Sequence, residues 1–97
     1  MSSPKQLHGA DVLLWTTELH QTRPTARTTH RVGGNTLGPA AALAICQYEG
    51  DAQFYLFYCD EDWTVRTDTC HTTLDAAKDQ AEFEYEGVSS TWRSAKD

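Results

Sequence analysis

The sequence predicts an α+β domain: an antiparallel β-sheet of three to five strands with one C-terminal helix packed on a face. Three observations predict it. Residues 41–70 form three apolar or β-branched runs joined by short polar turns, which is a β-meander. Residues 73–86 repeat apolar side chains at helical spacing behind a threonine cap. The 97-residue length fits a single domain with one core, so residues 1–97 are read as one unit.

Taken in order, residues 1–9 are polar and read as a loose tail, as do residues 93–97. Residues 11–19 fit two readings. Ala10, Leu13, Leu14 and Thr17 share a helical face, whereas Val12, Trp15, Thr16 and Thr17 favour a strand. Strand is taken here on composition. Residues 21–26 contain Pro24 and little hydrophobicity, so they read as a loop. Residues 27–32 hold Thr28, Thr29 and Val32 among arginines and suggest a short polar edge strand. Gly33, Gly34 and Asn35 make a turn, and Pro39 leads into the meander.

Centring the two meander turns on Gly50 and Glu61 sets Ile45 opposite Tyr55 and Phe57 opposite Val65. Leu43, Ile45, Tyr55, Phe57, Cys59, Trp63 and Val65 then share a face, which is expected to meet the helix. The opposite face carries Ala42, Ala44, Cys46, Phe54, Leu56 and Tyr58, too apolar to be left in water. In the helix, Thr72 is the expected N-cap with Asp75 reaching back. Leu74, Ala77, Ala81, Tyr85, Val88 and Trp92 form its apolar stripe, and Gly87 its stop.

The charge is uneven. Residues 1–40 hold four basic and two acidic side chains, and residues 41–97 hold four and twelve, within a net charge of −6. An acidic chain without a basic stripe is not expected to bind nucleic acid. No apolar run is long enough to span a membrane, and no apolar leader is present, so a cytoplasmic protein is expected. The three cysteines are expected to be free thiols, with Cys46 and Cys59 on opposite faces.

No motif names a reaction. Asp60, Glu61 and Asp62 are three consecutive acids whose side chains diverge, which suits a solvated turn better than a calcium loop. Cys70 and His71 are adjacent on an extended run and point apart. The four histidines lack metal-ligand spacing, and the glycines of residues 33–38 lack the lysine of a phosphate loop. No cofactor or metal is therefore expected. The reading that remains is a non-catalytic protein-binding or self-associating domain. Its expected partner surface is Phe54, Leu56 and Tyr58, with Glu82 and Glu86 at the acidic end of the helix, where the macrodipole calls for a compensating base. The alternative is a small enzyme or ligand-binding protein using Cys or His in a pocket between the sheet and the N-terminal segment.

Overall fold

The computed structural model describes residues 3–95. Its strands are β1 (Gln6–Leu7), β2 (Ala10–Thr16), β3 (Arg23–Pro24), β4 (Arg31–Val32), β5 (Asn35–Thr36), β6 (Ala42–Gln47), β7 (Phe54–Cys59), β8 (Val65–His71), β9 (Tyr85–Glu86) and β10 (Arg93–Ser94). The helix α1 spans Leu74–Glu84. The main sheet runs β1-β2-β6-β7-β8 and is antiparallel throughout, so the α+β architecture with a C-terminal helix holds.

Residues 11–19 do contain a strand, and it lies beside β6. Its other edge is occupied from both ends of the chain. β1 folds back on its first half through His8 and Gly9, both at positive φ as a two-residue hairpin demands. β10 pairs with its second half, Arg93 opposite Trp15 and Ser94 opposite Leu14. Gln6, Leu7, Arg93 and Ser94, loose in the sequence reading, are therefore paired; residues 1, 2, 96 and 97 lie outside the described part. The far edge of the sheet is β8, where the charged Arg66 and Asp68 discourage further strand addition.

The meander exists, but its register differs from the expectation. Ile45 pairs with Leu56 and Leu43 with Tyr58, one position away from the predicted partners. The cause is the turn. The N–H of Asp51 donates to the Tyr48 carbonyl, and the Asp51 carboxylate accepts the N–H of Gln53, so six residues rather than five separate β6 from β7. In the second hairpin Cys59 faces Val65, and an irregularity then sets Tyr58 opposite Thr67. Trp63 closes that turn at φ 66, a conformation bulky residues rarely adopt.

A shift of one position turns every β7 side chain over. The helix-facing core is accordingly Leu43, Ile45, Leu56 and Tyr58 against Ala77, Ala81, Tyr85 and Val88. Phe57, Cys59, Tyr55, Trp63 and Val65 lie on the other face, with Trp15, Val12, Ala42, Ala44 and Cys46. The alanines of β6 make room there for rings: Trp63 meets Trp15 edge-on at 6.1 Å, and Tyr55 stacks near Phe57 at 6.4 Å. Both faces of the sheet are thus packed.

The N-cap of α1 is Thr73 rather than Thr72; its hydroxyl accepts the N–H of Ala76 at 3.0 Å. The helix ends at Glu84, two residues before the predicted end at Glu86, because Tyr85 and Glu86 turn extended and pair with β3. Gly87 follows in the left-handed region. Val88 and Trp92 still reach the helix-side core, so the stripe read from the sequence is right in membership though not in helical extent.

Cys46 and Cys59 share one face rather than opposing each other, but Cys59 stands opposite Ala42, four residues from Cys46, and all three cysteines are free. Burial pushes the Cys46 and Cys59 thiols up to about 12, whereas Cys70 is exposed. Iodoacetamide at mildly alkaline pH should therefore add one label to the native protein, at Cys70, and three after unfolding. Mass spectrometry showing two or three labels on the native chain would contradict this packing.

Candidate functional site

β2 and β6 are neighbouring antiparallel strands, which a turn of about two to five residues can join. Here residues 17–41 lie between them, twenty-five in all. This excursion, the arm, crosses to the helix side of the sheet. It contains a 3-10 turn that buries Leu19, then β3, then the β4–β5 hairpin, which turns on Gly33 and Gly34, both at positive φ. The predicted edge strand at 27–32 is thus reduced to Arg31 and Val32, paired with β5 rather than with the main sheet.

Little apolar surface holds the arm down. A buried polar cluster does so instead. Glu84, the last residue of α1, is buried, and its Oε1 lies 2.7 Å from His30 Nε2 of the arm. Its Oε2 accepts the Tyr58 hydroxyl from β7 and the Gln80 amide, one helical turn back, at 2.9 Å. His30 Nδ1 lies 3.0 Å from the Thr67 hydroxyl of β8, and its ring sits 4.2 Å from that of Tyr58. Every partner is satisfied when Nε2–H donates to Glu84 and Nδ1 accepts from Thr67. Burial, and then the adjoining Glu84 carboxylate, push the Tyr58 phenol far up, so it remains a donor. Strands β7 and β8, the helix and the arm therefore meet around one carboxylate.

Further bonds fasten the arm on either side. The Thr25 N–H donates to the Glu84 carbonyl at 2.9 Å, and its hydroxyl to that of Phe83 at 2.7 Å, which satisfies carbonyls the helix end leaves open. The Ala40 N–H donates to the Tyr85 hydroxyl at 2.8 Å. Between arm and helix end remains a cleft of about 180 Å³, walled by Pro24, Ala26, Thr36, Leu37 and Tyr85 beside His30 and Glu84.

The predicted partner residues are each engaged within the chain. Leu56 and Tyr58 are buried beneath the helix, and Phe54 is half-buried beside them. Glu82 caps the chain after the helix, accepting the N–H of Gly87 at 2.8 Å and the hydroxyl of Ser89 at 2.7 Å, which holds its carboxyl below the usual range. Glu86 pairs with Arg23 of the arm. The acids crowding the helix end are thus answered from inside: a cap, a buried cluster and an ion pair. Elsewhere, Asp60 pairs with Arg66 at 3.3 Å and Asp62 accepts the Thr64 N–H at 3.1 Å, as a turn would have them. Cys70 donates to Gln53 while His71 meets Thr69 at 2.7 Å, so those two side chains do point apart. Among the described residues no group of three or more His, Cys, Asp or Glu is placed to hold a metal ion, and no helix is long and apolar enough to cross a membrane.

Sequence reasoning missed Glu84 and His30. Glu84 carried a signal: it lies three and seven residues after Ala81 and Ala77, on the buried stripe itself. His30 carried none, because its place depends on the path of the arm. No protein-family profile, curated protein or solved structure matches this chain.

Proposed function

We propose that this chain is a non-catalytic protein-binding domain and that the arm, residues 17–41, is its contact element. The observation that carries the reading is the length of the arm where a short turn would serve. A connection this long between neighbouring antiparallel strands is uncommon, and surface excursions on a rigid scaffold are where binding residues concentrate. Burying Glu84 against the half-buried His30 brings little net stability but fixes where the arm stands. What it presents is exposed: Arg23, Arg27 and Arg31, no acid between residues 19 and 41, and Val32 at 48% exposure on the hairpin.

The enzyme reading is less well supported. Both nitrogens of His30 have partners in the domain and Glu84 already accepts three hydrogen bonds, so both groups are engaged in holding the arm rather than aimed at a substrate in the cleft. Three arginines on a chain of net charge −6 suit a protein surface better than a phosphate backbone. Three unpaired cysteines support a reducing compartment, the cytoplasm, as the place of binding.

The test is affinity capture with the wild type and with an Arg31→Ser/Val32→Ser variant, both checked by circular dichroism. A partner held by the wild type should bind the variant at least about tenfold more weakly, as expected when contact residues are truncated. Equal retention by the two proteins would remove the arm from the contact, and the proposal with it.

A further inference from the structure

The outer surface of α1 carries one exposed stripe, Asp75, Asp79 and Phe83, spaced four residues apart. Phe83 is 46% exposed, and the Arg27 guanidinium of the arm lies over its ring, 5.3 Å from the centroid. Asp75 and Asp79 form no ion pair with any described residue, and nor does Lys78 beside them. The arm reaches only the C-terminal half of the helix, through Thr25 and Thr28. One face of the molecule thus holds acids at one end, a cation at the other and an exposed ring toward the cation.

We infer that this face binds a second copy of the chain, through Asp79 and Arg27 across a two-fold axis that passes between Asp79 and Phe83. The inference rests on the arm being the contact element. Asp79 and Phe83 are about 6 Å apart along the helix. Arg27 lies level with Phe83, so two antiparallel helices related by that axis set each Arg27 against the other copy's Asp79, with the two Phe83 rings on either side of the axis. The same patch serves on both copies, as a closed dimer requires, and each ion pair occurs twice. The net charge of −6 per copy opposes association at long range. Charge reversal, rather than salt titration, is therefore the deciding measurement.

Sedimentation equilibrium of the full chain up to high micromolar concentration should show a monomer–dimer equilibrium. Asp79→Arg alone and Arg27→Asp alone should each weaken it at least about tenfold, since each places like charges at two symmetric positions. The combined variant restores the pairing with its sign reversed and should return to within about threefold of the wild type. All three positions altered or probed lie at the surface, and Phe83→Ser provides a charge-neutral check that should also weaken the dimer. A wild type that stays monomeric, or single reversals that dimerise unchanged, would overturn the inference. If the Arg31/Val32-dependent capture persists in that case, the arm serves a different protein and the binding reading stands without the dimer.

Discussion

Replacing Leu56 with lysine should leave no stably folded domain. Leu56 is fully buried, paired with Ile45 and Thr69, and covered by the chain's own helix-side core. Truncating a buried leucine costs about 2–5 kcal/mol through lost transfer energy and the cavity left behind. Lysine adds an ammonium to an apolar layer, a further several kcal/mol when no anion meets it. The nearby carboxylate, Glu84, already has three donors. The total rivals the roughly 5–15 kcal/mol that holds a domain of this size together. Urea denaturation followed by circular dichroism decides the matter. Leu56→Met, of similar volume, should lose less than about 1.5 kcal/mol. A lysine variant unfolding cooperatively near the wild-type midpoint would mean that Leu56 faces solvent or a partner, and that the register described here is wrong.

Glu84→Ala should be nearly as damaging, by about 3–5 kcal/mol, for a different reason. No large apolar group is lost. Instead the Tyr58 hydroxyl, the Gln80 amide and the His30 Nε2–H lose their acceptor inside the protein. Glu84→Gln keeps the shape and one acceptor oxygen, and should fall between the alanine variant and the wild type. A double-mutant cycle with His30→Ala isolates the arm's share: the coupling should exceed about 1 kcal/mol, with the double variant less stable than wild type but more stable than the single losses summed. Additive losses would show that the histidine only lies beside the carboxylate. Hydrogen exchange should report the same event locally, with the amides of Thr25 and Leu37 losing protection ahead of those in β6.

The architecture was legible because its elements announce themselves locally. The aromatic density of residues 54–59, the turn at Gly50 and the threonine ahead of Leu74 all act within a few residues. The register was not legible, and the reason is physical. Alternation fixes which side of a strand is buried only when the other side is polar. β7 reads Phe, Tyr, Leu, Phe, Tyr, Cys, apolar on both sides, so its pattern is equally content either way up. The turn decided instead, through one carboxylate, Asp51, that makes room for a sixth residue. The site was illegible for a related reason. Glu82, Glu84 and Glu86 look alike in sequence, yet one caps, one is buried and one pairs with the arm. Spacing marks Glu84 as buried, but its partner His30 and the Arg23 partner of Glu86 follow from where residues 23–30 pass, and no spacing within the helix encodes that path.

The strand β10 has a kinetic consequence. Its partner β2 lies nearly eighty residues away along the chain, whereas β6, β7 and β8 are joined by short turns. Closing a tenfold longer loop costs about 2 kcal/mol more in chain entropy. The meander is therefore the part that assembles early, and β10 zips last onto an already formed edge. On the way back it is the first to peel. Beyond its two ladder positions β10 is held by the Ala95 N–H to the Leu13 carbonyl and by Arg93 over Trp15, and its opening bares the Leu14–Trp15 edge of β2 to strand addition by another copy.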